Sequence, residues 1–397
     1  MDSVGRRDRS AITVGLCFLA ALFEGVDLQA AGVAAPHILP LFHLTPQQAG
    51  LFFSASTLGL LVGAITGGWL ADRVGRKAVL LGSLVLFGAF ALSTAFATDF
   101  TSLVALRLAT GLGLGGALPN MIALAAESSP PSRRGVSVGL MYGGMPLGGA
   151  LASAVSLFGG ADWKAIFYLG GGAPLLLAPA VALLMIDTIA GRETAARPPA
   201  RDPLHALFGQ SRLASTLLLW VGFGFTLLVL YLLLNWLPSL LVSRGFSKPQ
   251  SAMMQIVFNL GGAAGSAGVG WLIDGRRRVA AIIGSFLMTP IFLLGLAVGV
   301  SSLPGELAIA AILGVGIMSN QAILYAMAPW CYPVEVRGFG VGAAVAVGRF
   351  GSLVGPLIAG QLVGAGQNAE QVLLHMLPIL ATGAGAAIIL GLRPRAG

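Results

Sequence analysis

Two carboxylates, Glu24 and Asp27, stand three residues apart inside an apolar run that extends from Ala11 to about Pro36. On a helix this spacing puts them on neighbouring parts of one face, with Cβ atoms ~5–6 Å apart. If the run lies in lipid, each central charge costs ~2.5–3.5 kcal/mol on insertion scales, and two so close cannot both ionise cheaply. At least one can then take up and release a proton as its surroundings hydrate and dry. Asp27 is the preferred carrier and Glu24 its tuner; the alternative is a structural pair hydrogen-bonded to other helices. Two arginines, Arg107 and Arg349, lie equally deep in apolar sequence. An arginine stays charged there and needs a carboxylate or several carbonyls close by. Arg107 is therefore expected to pair with Glu24 or Asp27, as a static brace or as the partner that switches the acid between charge states. Arg349 offers a planar fork that can hold both oxygens of a carboxylate ligand.

The elements that must position these groups follow from composition. Of 397 residues, 56% are hydrophobic and 10% charged, too few charges for an ordinary water-facing surface. A membrane-spanning helix needs ~20 apolar residues. The apolar runs predict helices near 11–36, 47–72, 77–97, 101–127, 136–158, 164–187, 213–242, 249–274, 278–299, 305–330, 338–363 and 369–392. The fold expected is an all-α integral membrane protein with twelve spans. Its 57 glycines suit close helix approach, as at Gly63 and Gly67 or Gly351 and Gly355.

The net charge of +8 does not form a nucleic-acid patch, because the basic residues sit in small clusters between apolar runs. With the N-terminus placed inside, the cytoplasmic segments hold eighteen Lys or Arg and the outer loops only Lys164, Arg244 and Lys248, which predicts both termini inside. Arg6, Arg7 and Arg9 precede the first run as in a signal peptide, but the run is too long, and too polar at Glu24 and Asp27, for a cleaved segment. Cys17 and Cys331 offer no disulfide framework, and His37, His43, His205 and His375 no metal spacing. No Walker loop appears, and Gly111-x-Gly113-x-x-Gly116 lies in a lipid-length helix with no strand before it, so no nucleotide cofactor is expected. Neither an enzyme's nucleophile constellation nor a signalling domain is visible.

The stretch from Asp187 to Arg212, with Pro198 and Pro199, reads as a linker near the middle of the chain. On either side the sequence repeats. The run Gly68-Trp69-Leu70-Ala71-Asp72 returns as Gly270-Trp271-Leu272-Ile273-Asp274, an offset of 202, and Arg134-Gly135 returns as Arg337-Gly338, an offset of 203. Two six-helix bundles, 1–187 and 213–397, joined by a cytoplasmic linker at 188–212, are the expected domains.

The segment Gly68 to Lys77 resembles the loop 2–3 signature of the major facilitator superfamily, and Arg107-Leu-Ala-Thr-Gly111-Leu-Gly113-Leu-Gly115 resembles its helix 4 signature. Within that superfamily, Glu24-Gly25-Val26-Asp27, Asn235-Trp236-Leu237-Pro238 and Val347-Gly348-Arg349-Phe350-Gly351 resemble the aromatic acid:proton symporters, nearest to the 3-(3-hydroxyphenyl)propionate group, which shares an Ala-Leu-Pro-Asn like Ala117 to Asn120. The second loop signature departs from the pattern, since Gly275 stands where a basic residue is usual. The resemblance implies proton-coupled uptake of an aromatic carboxylate by alternating access in a bacterial cytoplasmic membrane, with Arg349 as the anion-binding residue. The same fold also serves proton-driven exporters of drugs or other organic anions, which is the alternative. An aromatic substrate would need stacking surface and phenol partners, for which Tyr231, Asn235, Trp236, Gln321, Tyr325 and Tyr142 are candidates. A cytoplasmic latch is expected from Asp72, Arg73 and Arg76 together with Glu127 and Arg133 or Arg134, which close helix 4 and the loop after it, and with Asp274, Glu335 and Arg337 as second-half counterparts.

Overall fold

In hydrocarbon every backbone N–H and C=O must be satisfied inside the protein, which leaves helices as the natural form for these runs. The structure, a computed structural model, describes residues 3–130, 133–159, 162–185, 207–209, 212–273, 278–300, 302–333 and 336–393, and no strand occurs among them. The long helices are α1 (Ser3–Leu41), α2 (Pro46–Val74), α3 (Arg76–Thr94), α4 (Phe100–Ser128), α5 (Arg134–Phe158) and α6 (Lys164–Leu184). They continue with α7 (Leu213–Ser243), α8 (Lys248–Ile273), α9 (Arg278–Val298), α10 (Leu303–Met327), α11 (Arg337–Gly364) and α12 (Ala369–Leu392). Among the described residues, eleven helices are long and apolar enough to cross a membrane. A short 3-10 turn, Ala328–Cys331, follows α10.

Helix ends show why the boundaries fall where they do. The α1 helix runs through Pro36 and Pro40 to Leu41, beyond the expected end at 36, because packed neighbours and adjusted local geometry let a membrane helix tolerate proline. The chain turns at His43, whose φ is 50°, and Thr45 opens α2 with a capping box to Gln48. Asp99 with Ser102 and Asn368 with Gln371 open α4 and α12 in the same way. Gly75, with φ 99°, is the one-residue hinge between α2 and α3, a conformation that disfavours any side chain.

The chain divides into two units, Met1–Arg192 with Phe246–Ile256, and Glu193–Gly245 with Val257–Gly397. In the first, α1 packs on α5, α2 on α4, and α3 on α6. In the second, α7 packs on α11 and α9 on α12, while Gly261 and Gly314 bring α8 and α10 together. Each unit therefore pairs its first helix with its fifth, its second with its fourth and its third with its sixth.

Small residues make these pairings close. Gly59 and Gly63 of α2 rest on the carbonyl oxygens of Leu108 and Leu112, while Gly111 and Gly115 of α4 rest on those of Ser56 and Leu60. In the second unit Gly351 and Gly355 rest on the carbonyls of Gly224 and Leu228. A side chain at any of these positions would strike backbone, which cannot turn aside as a rotamer can. Gly111→Leu should therefore destabilise the protein by ~1–3 kcal/mol or more, whereas Gly82→Leu, at a site with nothing within 4 Å, should be nearly neutral. Thermal unfolding of the two variants in detergent compares them directly.

Candidate functional site

The acids of α1 sit where that helix is pressed against α5. Gly25 rests on the Met145 carbonyl, and Gly148 of α5 on the Leu22 carbonyl, so the glycine between Glu24 and Asp27 is required for the contact. Glu24 and Asp27 are both 0% exposed. Arg107, 1% exposed, reaches across from α4 and grips Asp27 twice. Its Nη1 donates to Asp27 Oδ1 at 2.8 Å and its Nη2 to the Asp27 main-chain oxygen at 2.9 Å. Asp27 is thus the acid that the Arg107 guanidinium holds in this ion pair. Removing one member of such a buried pair costs ~3–5 kcal/mol, because the other charge is left uncompensated. Asp27 Oδ2 and Arg107 Nε have no hydrogen-bond partner among the described residues.

In the second unit the close α7–α11 seam places Arg349, 7% exposed, beside Tyr231. Arg349 Nη1 donates to the Tyr231 hydroxyl at 2.8 Å. The other substrate candidates hold contacts of their own. Asn235 donates to the Tyr231 carbonyl of its own helix at 2.8 Å, and Trp236 Nε1 donates to the Pro356 carbonyl at 3.0 Å, which ties α7 to α11. Tyr325 of α10 is half-buried with its ring edge-on to Phe223, centroids 5.1 Å apart, and Gln321 lies one turn before it, also half-buried. Tyr142 is half-buried against the apolar core of the first unit, among residues such as Leu80, Phe87 and Met121.

The described latch candidates lie at the ends of α2, α3, α4, α5 and α11. Glu127 pairs with Arg76 at 2.6 Å, because the Gly75 hinge brings the start of α3 to the end of α4, so two of the latch candidates meet. Arg133 and Arg134 are exposed at the head of α5. Asp72 is exposed and forms no ion pair among the described residues, and Arg73 stacks on Trp69 at 3.6 Å. Lys77 caps α6 by donating to the carbonyls of Ala182 and Met185. Arg337 Nε donates to the Tyr332 carbonyl at 3.3 Å. Asp274 and Glu335 lie outside the described residues.

Three buried polar groupings escaped the sequence reading. Glu306, 1% exposed, accepts from Val300 N at 3.0 Å and faces Arg244 at 3.4 Å. An acid in the first turn of an apolar helix was the available signal, since Arg244 alone reads as a loop charge. Asn320 accepts from Ser285 at 2.7 Å and donates to Thr289 at 2.8 Å. Gln255, whose segment belongs to the first unit, donates to Gln29 at 3.1 Å. Single amides and hydroxyls in apolar runs carry no spacing pattern, so nothing in the sequence joined these.

Buried, mutually compensating charges on paired membrane-length helices are groups whose burial in lipid is expensive and therefore points to function. The chain belongs to the Major Facilitator Superfamily, whose profile matches residues 17–356; it is a multi-pass membrane transporter and not an enzyme. It is 46% identical over 392 residues to the 3-(3-hydroxy-phenyl)propionate transporter of Escherichia coli K12, covering 98% of this chain and 96% of that protein. It is 33% identical to the 4-hydroxybenzoate transporter PcaK of Pseudomonas aeruginosa, covering 95% and 91% respectively. Among solved structures, an inward-facing, unoccupied bacterial homolog of the human lysosomal transporter Spinster matches with a TM-score of 0.76 at 16% identity, over 96% of this chain and 97% of that one. At that identity the likeness shows the fold alone.

Proposed function

We propose that this protein imports an aromatic monocarboxylate, of the hydroxyphenylpropionate or benzoate type, together with protons across a bacterial cytoplasmic membrane by alternating access. The observation that carries the reading is Arg349 bonded to the Tyr231 phenol: a buried fork for a carboxylate beside an aromatic hydroxyl group. The names of the relatives, a hydroxyphenylpropionate and a hydroxybenzoate transporter, support the same substrate class. An incoming carboxylate would take over the Arg349 Nη1 donor that now bonds the Tyr231 hydroxyl, and the tyrosine hydroxyl would turn to it as a second donor.

Proton coupling is assigned to Asp27, with Glu24 and Arg107. While Asp27 is ionised the guanidinium of Arg107 holds it; a proton arriving at Oδ2 removes the charge and with it the attraction. Glu24, one turn away on the same helix, is the carboxylate that can then compensate Arg107. The excess of basic residues in alternate connections supports both termini inside, with 1–187 and 213–397 as the functional halves and 188–212 as their link. The charged α2–α3 hinge, including Asp72, Arg73 and Arg76, serves as the cytoplasmic latch.

Counterflow with a panel of solutes tests the substrate class. Vesicles loaded with unlabelled 3-(3-hydroxyphenyl)propionate should draw in the labelled compound, and hydroxylated benzoates and phenylpropionates should compete with it. Aliphatic carboxylates and phenols lacking a carboxylate should not. Competition by cationic or neutral drugs, with none by aromatic acids, would place the protein among exporters.

A further inference from the structure

The first unit contains a row of aromatic rings that leads to the Asp27–Arg107 pair. Phe42, just past the end of α1, stands edge-on to Trp163, with centroids 6.0 Å apart and planes at 79°. Trp163 stands edge-on to Phe167 at 5.7 Å and 79°. The guanidinium carbon of Arg107 lies 6.0 Å from the centre of the Phe167 ring. Phe167 is 0% exposed and Trp163 is buried, while the amine of Lys164 lies 6.0 Å from the centre of the Trp163 ring. Nearly one turn beyond Phe167, the α6 backbone lies against the acid itself: a Cβ at Gly170 would be 3.9 Å from Asp27 Oδ1 and 3.6 Å from Val26 Cγ1.

The two phenylalanine rings give water no hydrogen-bond partner and Trp163 offers only its indole N–H, and a water without its two to four partners in an apolar passage is costly. The Phe167 ring lies beside a guanidinium whose Nε has no hydrogen-bond partner among the described residues, and the Gly170 backbone lies against an acid whose Oδ2 has none, two polar atoms that water reaching the pair could bond. We infer that Phe42, Trp163 and Phe167 form a dry seal that closes the Asp27–Arg107 pair off from the membrane face bearing the α1–α2 and α5–α6 connections, with Phe167 as the positioning residue at its inner end. The inference rests on the assignment of Asp27 as the proton site. A symporter must deny protons a route of their own, and the seal does so on one side by keeping water from Asp27 when no substrate moves.

Proton entry into dye-loaded proteoliposomes after an external acid jump, with potassium and valinomycin clamping the potential and no aromatic acid present, reads the seal directly. Phe167→Ala should leak protons at least tenfold faster than wild type, and Phe167→Leu, which refills the apolar volume, should restore tightness. Trp163→Ala should also leak, and it carries the test if Phe167→Ala is not monodisperse on gel filtration. Adding Asp27→Asn to the leaking variant should return the rate to the wild-type level. Folded Phe167→Ala or Trp163→Ala as tight as wild type would overturn the seal, as would a leak that persists undiminished with Asn at position 27. Because no aromatic acid is present, a protein that leaked as expected but accumulated no aromatic acid would remove the substrate assignment and leave the seal standing.

Discussion

Asp27→Asn is expected to abolish accumulation driven by a pH gradient while leaving exchange of substrate largely intact. The asparagine keeps the shape of the side chain, its oxygen can still accept from Arg107 Nη1, and the bond from Nη2 to the main-chain oxygen does not depend on the side chain. What disappears is the ability to cycle between charged and neutral forms. Net uptake requires the empty carrier to return with its acid in a defined charge state, whereas exchange returns loaded and needs no net proton movement. The cost of leaving Arg107 without its ion-pair partner, up to ~3–5 kcal/mol for a fully buried pair, should be moderated by Glu24. Asp27→Asn combined with Glu24→Gln should therefore lose thermal stability beyond the sum of the single changes. Initial rates of uptake and exchange in the same proteoliposomes measure the split. Asp27→Asn vesicles that still accumulate substrate against a pH gradient would move the proton to Glu24 or out of α1.

Arg349→Lys should weaken substrate binding by ~10–100-fold even though it conserves the charge. A hydrogen bond to a charged group contributes ~1.5–3 kcal/mol, and lysine offers a compact ammonium where arginine offers two parallel N–H donors. Arg349→Ala should leave no measurable binding, and Tyr231→Phe should lose only ~3–10-fold, in line with a neutral hydrogen bond. Binding of a labelled aromatic carboxylate to the purified variants gives the series. Equal affinity in wild type, Arg349→Lys and Arg349→Ala would put the anion elsewhere, with Arg107 the next candidate.

The helices were legible because lipid admits so few backbone solutions: α12 spans Ala369–Leu392, as its apolar run predicts. Ends were less so, since Pro36 and Pro40 look like breakers but are carried inside α1. The chemistry-bearing residues Glu24, Asp27, Arg107 and Arg349 were legible from the expense of charge in apolar sequence, and all four are buried. Their pairings were legible only in part: the sequence left Arg107 between Glu24 and Asp27 and named no partner for Arg349. Arg107 and Asp27 are 80 residues apart and Arg349 and Tyr231 are 118 apart, so only the packing of α1 on α4 and of α7 on α11 decides who meets whom. The Arg76–Glu127 bridge depends on one positive φ at Gly75, and the Phe42, Trp163 and Phe167 row on the way α6 faces α1 and α4. Aromatic residues in membrane helices are common, so nothing in their spacing set these three apart.

The central claim is proton-coupled uptake of an aromatic carboxylate, and accumulation by the wild-type protein tests it most directly. Proteoliposomes with an interior one pH unit more alkaline, the potential clamped at zero, should take up labelled 3-(3-hydroxyphenyl)propionate at an initial rate well above protein-free vesicles and Asp27→Asn vesicles, which set the level for diffusion of the neutral acid. With one proton per anion the inside-to-outside ratio should approach about tenfold, since one pH unit supplies ~1.4 kcal/mol, and a protonophore should collapse it. Uptake that stops at the external concentration, or that a protonophore leaves unchanged, would contradict the account.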